Sequence, residues 1–188
     1  MKKETVRQIF SHIPELYTER LYLRGMRVTD APDMFDYAKD PEVSRFLTWS
    51  PHQSLDYTKA YLTCVGRQYR TGAIFDWAVV HRESGRMIGT CGFTEFRYES
   101  NVGVIGYVLN PAFHGQGLAT EAVRAVMDFG FRELGLHRIQ ARFMQGNDPS
   151  LRLMQRVGMS FEGYARDEML IKGAYRTIGT CAILENEW

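Results

Sequence analysis

Leu109 to Thr120, LNPAFHGQGLAT, is the stretch whose residue types and spacing point most directly to chemistry. An apolar run ends in a glycine-rich turn, and a helical pattern begins at once after it. Gly115 and Gly117 let the backbone turn sharply, so that successive N–H groups point into one concavity. The N-terminus of the following helix adds about four unpaired donors and roughly half a positive charge. Such a place suits a pyrophosphate or another anion. A Walker phosphate loop requires Lys and then Ser or Thr where Leu118-Ala119 stands, so that reading fails. A dinucleotide fingerprint opens the first βαβ unit and carries an acid at a strand end about 20 residues on. Here the turn lies mid-chain and Glu133 falls at the end of the helix itself. On the glycines alone, a purely structural turn stays open as an alternative.

These residues need elements to position them. Arg20 to Arg27 alternates Leu21 and Leu23 with polar residues, the period of a half-buried strand. Asp30 is a helix-cap candidate with Pro32 in the first turn, and Ser54 is a second. Ile74 to His81 and Met87 to Phe93 flank Glu83-Ser84-Gly85 and predict a hairpin. Val102 to Leu109 is nearly all apolar, as in a strand covered on both faces, and Gly106 within it predicts a bulge or a close backbone approach. Thr120 to Leu134 reads as a helix stopped by Gly135, and Arg138 to Met144 as a strand. Asp148-Pro149 opens a short helix that Gly158 closes. The remainder, to Leu184, reads as a hairpin turning at Lys172-Gly173. The expected fold class is a mixed α/β (α+β) single domain over residues 16–188, preceded by an extension over 1–15.

The 188 residues carry 23 basic and 22 acidic side chains, a net charge of +1 that argues against a dedicated nucleic-acid binder. No apolar run approaches the ~18 residues that span a bilayer, and no apolar region follows the basic Met1-Lys2-Lys3, so neither a membrane partner nor a signal peptide is expected. Cys64, Cys91 and Cys181 are odd in number and far apart, the usage of a reducing, cytoplasmic compartment. The five histidines fall at no zinc-binding spacing, so no metal is expected.

The chain resembles the GNAT N-acetyltransferase superfamily, whose cofactor loop reads Gln/Arg-x-x-Gly-x-Gly/Ala between the fourth strand and third helix. Here that loop is His114-Gly115-Gln116-Gly117-Leu118-Ala119, matching at Gly117 and Ala119 and departing at His114. More specifically it is similar to the RimJ/RimL branch, which acetylates ribosomal-protein N-termini and various small amines. TERLYLR (Thr18 to Arg24), IGYVLNP (Ile105 to Pro111), GLATEAV (Gly117 to Val123) and NDPSLRLMQRVGM (Asn147 to Met159) follow in the expected order, with Met159 where that branch has Phe.

The resemblance implies a mostly antiparallel twisted sheet of about seven strands, with helices on both faces. Its fourth and fifth strands, here Val102 to Leu109 and Arg138 to Met144, would splay to admit the pantetheine arm of acetyl-CoA. Backbone groups of Tyr107, Val108 and Leu109 would bond that arm, with an N–H near Val108 on the thioester carbonyl. The turn from His114 through Gly115, Gln116, Gly117, Leu118 and Ala119 to Thr120 would hold the pyrophosphate. Asn147 would contact the arm, and Ser150 would protonate the leaving thiolate. Asn and Ser are equally ordinary helix-start residues. Glu168 is the expected general base, with Glu95 and Asp76 as alternatives. Trp49 and Trp77, with Phe46, are candidates for an aromatic acceptor wall. The expected acceptor is an amine: a peptide or ribosomal-protein N-terminus, or a small molecule such as a polyamine or antibiotic. A non-catalytic acyl-CoA sensor or a nucleotide-binding regulator is the alternative class. The expected assembly is a monomer or homodimer.

Overall fold

Period-two alternation decides which way each strand of this protein faces, and the computed structural model, which describes residues 1–188, shows two different helical layers meeting its two sheet faces. The strands are β1 (Leu16–Tyr17), β2 (Leu21–Arg24), β3 (Phe75–His81), β4 (Met87–Arg97), β5 (Val102–Leu109), β6 (Arg138–Met144), β7 (Ser160–Ile171) and β8 (Ala174–Leu184). They form one sheet in the order β1-β2-β3-β4-β5-β6-β8-β7. Every neighbouring pair is antiparallel except β5 with β6. The eighth strand, beyond the seven or so expected, is the two-residue β1. The helices are α1 (Lys3–Ser11), α2 (Ala31–Ala38), α3 (Pro41–Ser44), α4 (Leu55–Tyr69), α5 (Leu118–Arg132) and α6 (Asp148–Arg156). None is long and apolar enough to cross a membrane.

On one face, Trp77 of β3, Cys91 and Phe93 of β4, Ile105 of β5 and Ile139 and Ala141 of β6 pack with Val123, Val126 and Met127 of α5 and Met154 of α6. The other face carries a smaller core, in which Ala78 and Val80 of β3 meet Met34 and Tyr37 of α2 and Leu62 and Val65 of α4. Residues 1–15 supply α1, whose Val6 and Phe10 are fully buried in the larger core. Phe10 packs edge-on to Phe75, Trp77 and Phe129 at ring separations of 5.1, 5.2 and 6.1 Å.

Two local expectations need correction. Asp30 stands at the N-cap of α2, yet its side chain does not cap it. Its carboxylate instead accepts two hydrogen bonds from the Arg24 guanidinium, at 2.8 and 2.7 Å, and one from the Arg27 N–H, because the buried cation needs a charged partner. Gly106 is not the bulge. The irregularity lies in β4 between Phe93 and Glu95, opposite Ile105 and Val104, and Gly106 makes room for the Thr94 methyl. Ser54 does cap α4, accepting from the Tyr57 N–H at 3.1 Å.

The β5–β6 ladder runs from Val102/Arg138 to Ile105/Ala141 and stops there, although β5 continues to Leu109 and β6 to Met144. The splay is therefore real, and Gly106, Tyr107 and Val108 are only half-buried where β5 has lost its neighbour.

Replacing Phe10 by Ala should remove the aromatic plug between α1 and the sheet at a cost of about 3–5 kcal/mol. Urea unfolding of the full chain should show that loss as a lower midpoint with little change in slope.

Candidate active site

The glycine turn begins where β5 ends. Asn110 is buried, accepts from the Ala112 N–H at 3.0 Å and donates to Asp36 at 3.1 Å, which fixes the first bend. Gly115 and Gly117 then take φ of 77° and 78°, the left-handed region, and Gly117 is the N-cap of α5. α5 thus starts at Leu118, two residues before the sequence pattern suggested. No N–H from Gly115 through Thr120 meets an acceptor within the chain. Leu118 is buried, so it serves the turn through its backbone alone, whereas Gln116 is exposed.

The turn is clamped from the opposite edge of the sheet. Arg20 donates from Nη1 to the Gln116 carbonyl at 2.8 Å and pairs with Glu121 of α5 through Nε and Nη2 at 2.8 and 2.6 Å. The Thr18 hydroxyl and the Arg20 N–H both donate to the other Glu121 oxygen, at 2.6 and 2.8 Å. Burial opposes the Glu121 charge, but these donors together hold its carboxyl below the usual range. The TERLYLR segment thereby has a physical task, which the sequence reading had not assigned.

His114 does not reach outward. Its Nε2 lies 2.9 Å from the Leu109 carbonyl, to which it must donate, so the ring closes the turn. Along β5, the Asn110 N–H donates to the Ile88 carbonyl of β4 at 2.7 Å. Antiparallel alternation then turns Val108 toward β4 and leaves Tyr107 and Leu109 facing the splay. The edge groups are those of Tyr107 and Leu109, a correction to the expectation for Val108.

Across the splay, Asn147 caps α6, its Oδ1 accepting from the Ser150 N–H at 3.4 Å. The Ser150 hydroxyl lies 2.8 Å from the Tyr107 hydroxyl, which also donates to the Ser150 carbonyl at 3.3 Å. Burial raises the Tyr107 phenol well above its usual range, keeping it a neutral proton carrier. The side chain of Tyr107 was missed by sequence reasoning, which credited this residue with backbone groups only. Its odd phase against Gly106 and Val108 was the available signal.

The other sheet face holds the remaining candidates. Glu168 is exposed on the β7–β8 hairpin and pairs with Arg142 of β6 at 2.6 Å. Glu95 pairs with Arg97 at 3.2 Å near the end of β4. Asp76 of β3 has an Oδ1 sealed from solvent with no hydrogen-bond partner. Burial pushes its carboxyl up to about 7, against weaker opposing bonds from Thr90 and the Trp77 N–H. Trp49 is half-buried on the rim of the smaller core, 5.6 Å from the His52 ring, and Phe46 packs beside Met144 and Ile178. Trp77 is a correction: it is fully buried in the larger core and donates from Nε1 to the Pro14 carbonyl at 2.6 Å, so it cannot line an acceptor site. No cysteine is poised as a nucleophile on the sheet, since burial raises Cys91 well above its usual range and Cys181 to about 11.

An open strand edge that leads into a run of free N–H groups fits an extended amide-bearing arm ending in a pyrophosphate. Comparison with known proteins agrees. Residues 20–160 match the family model described as an acetyltransferase (GNAT) domain. The uncharacterized N-acetyltransferase p20 of Bacillus licheniformis is 32% identical over 173 residues, covering 92% of this chain and 97% of its own. The ribosomal protein uS5-alanine N-acetyltransferase of Escherichia coli is 29% identical over 187 residues, covering 95% of each. A GNAT-family acetyltransferase structure from Bacillus anthracis superposes with a TM-score of 0.82 at 28% identity, covering 93% of this chain and all of that one. With the splayed parallel pair, the glycine turn and a family match over most of its length, the chain belongs to the GNAT acetyltransferase family.

Proposed function

We propose that this protein transfers an acetyl group from acetyl-CoA to a primary amine, and that the amine is the N-terminal α-amine of a protein or peptide. The observation that carries this reading is the unpaired β5 edge beyond Ile105, which leads directly into the free N–H groups of Gly115 to Thr120. Bound acetyl-CoA supplies the activated acyl group as a thioester. Tyr107 and Leu109 hold the amides of its arm as an added strand, and the turn takes its pyrophosphate. Asn147, capping α6 at the open end of β6, is placed to hold the arm as well.

Ser150 donates a proton to the departing sulfur, Tyr107, 2.8 Å away, relays one to it, and the proton that the attacking nitrogen sheds as the amide forms restores the pair. No enzyme nucleophile is needed. The acceptor must be neutral before it attacks. At pH 7 that costs about 1 kcal/mol for an α-amine and nearer 5 for a lysine, which favours N-terminal acceptors. Similarity to the uS5-alanine N-acetyltransferase over 95% of both chains supports the same acceptor class. Glu168 with Arg142 forms a charged pair on the acceptor face, with Phe46 packed near the same hairpin beside Met144, Met169 and Ile178.

Incubation with acetyl-CoA and a panel of Ala- and Ser-starting peptides, polyamines and aminoglycosides should release free CoA fastest with the peptides. Preference for the small amines would reassign the acceptor, and tight CoA binding without turnover would make the protein a sensor. Ser150→Ala should lower kcat about 10- to 1000-fold while CoA affinity stays within about twofold, read by stopped assays and calorimetry. A side-chain carbon at Gly115 would meet no atom within 4 Å. At φ 77° an Asp costs about 1–2 kcal/mol of backbone strain, which a folded chain can carry, and its carboxylate opposes the pyrophosphate, so Gly115→Asp should weaken CoA binding by more than about tenfold.

A further inference from the structure

Oδ1 of Asp76 is the one buried side-chain oxygen without a hydrogen-bond partner, and no step described so far uses it. Its neighbours explain its position. On the sheet face opposite Tyr107, register places Asp76 of β3, Gly92 of β4 and Gly106 of β5 in one row across three strands. Two of the three are glycine, so backbone alone floors this row from Asp76 to where β5 parts from β6, with the Asp76 carboxyl over Gly92 and the Thr94 methyl over Gly106.

The carboxyl leans along that row. A side-chain carbon at Gly92 would sit 2.7 Å from Asp76 Oδ1, so the carboxyl already lies over β4. One strand spacing, about 4.8 Å, then separates it from Gly106 at the head of the splay. Thr90 and the exposed Thr94 flank the row on β4. Asp76 as a residue keeps part of its surface open, although Oδ1 itself is sealed. No cation approaches it. The titratable groups turned toward it are the phenols of Tyr37 on α2 and of Tyr61 and Tyr69 on α4, with the Cys91 thiol on the opposite face of β4. Tyr69 spends its hydroxyl proton on the Asp76 backbone carbonyl at 2.6 Å, not on the carboxylate.

A burial cost that Thr90 and the Trp77 N–H offset only in part, with no cation beside it, is what a carboxylate awaiting a cationic ligand displays. Glu168, by contrast, already has its cation in Arg142. We propose that Asp76 receives the ammonium group of the acceptor and takes up one of its protons, so that the neutral amine attacks the thioester along the Gly92–Gly106 row. This rests on the proposed transfer to an amine. The N–H bond of the ammonium breaks and an O–H bond forms on Asp76. As the C–N bond forms and the C–S bond breaks, the sulfur leaves with a proton from Ser150, the nitrogen's second proton restores the Ser150–Tyr107 pair, and Asp76 returns its proton to solvent after the product departs.

The test is Asp76→Asn in the full chain, assayed with the peptide of highest kcat/KM from the panel above. We expect kcat/KM at pH 7 to fall at least 100-fold and CoA affinity to stay within twofold. The wild-type kcat/KM should fall as pH drops through about 7, and the variant should lose that ionisation while keeping the amine's own near 8. Burial raises the Asp76 carboxyl, so its protonated form favours the fold and that stability is lost as pH rises through about 7. The variant should accordingly melt at least as high as wild type at pH 8, which separates a catalytic loss from misfolding. Wild-type turnover with an equally active Asp76→Asn would overturn the role of Asp76 alone. A wild type that binds CoA and acetylates no amine would overturn the transfer reading and this one with it. A second measurement needs no variant. With aspartate side-chain carboxyls labelled with carbon-13 and CoA present at pH 6, the peptide should move one resonance from its protonated to its ionised position, and an unmoved resonance would also overturn the proposal.

Discussion

After Ile105 and Ala141, β5 and β6 each keep their other neighbour and lose one another. β6 pairs with β8 over its whole length, from Arg138/Leu184 to Met144/Ile178, while β5 pairs with β4 as far as Leu109/Gly89. Each strand is thus committed to a different half of the sheet, and the twist between the halves opens a wedge. Unpaired backbone groups in a sheet centre are costly to bury without a partner. Here they are kept half-exposed, and everything else in the site depends on that arrangement: the edge at Tyr107 and Leu109, the turn that follows Leu109, and α6, which begins where β6 ends.

The turn would not hold its shape through glycines alone, which make bending easy in many directions. The Thr18, Arg20 and Glu121 cluster selects one of them by joining the Gln116 carbonyl and the first turn of α5 to the β1–β2 connection. A near-neutral chain can recognise a polyanion this way, because the donors are backbone dipoles fixed by an internal ion pair rather than a field of surface lysines. His114 fits the same logic, since its ring donates to the Leu109 carbonyl and tightens the turn.

Much of this was legible in the sequence, and the gaps have physical reasons. β5 and β6 match residue for residue because continuous apolar runs bounded by turn residues leave little choice. α1 escaped notice because KETVRQIFS is mostly polar, and only tertiary packing makes Val6 and Phe10 core residues. The bulge at Thr94 could not be read, since it is a property of two strands rather than one. One error was avoidable. Asp76 and Trp77 are consecutive in a strand, so they face opposite sides, and both could never line the acceptor site. The indole went to the larger core, where its bulk is useful, and the carboxyl to the polar side.

The same period of two divides the proton-bearing groups of this protein between the faces of the sheet. Tyr107 lies on the α5–α6 side with Ser150, whereas Gly106, one residue earlier, lies on the α2–α4 side in line with Asp76. An intact ladder would keep those groups apart, as it does for Cys91 and Thr90 one strand away. Only where the β5–β6 pairing is missing can one bound molecule touch both sides. A donor and an acceptor of protons placed on one face, a few ångströms apart, would simply hydrogen-bond and neutralise each other. Separating them across the sheet and joining them through a gap lets a neutral hydroxyl pair and an unpaired carboxyl coexist in one resting structure. The missing hydrogen bonds are thus what allow groups of opposite duty to act on the same reaction.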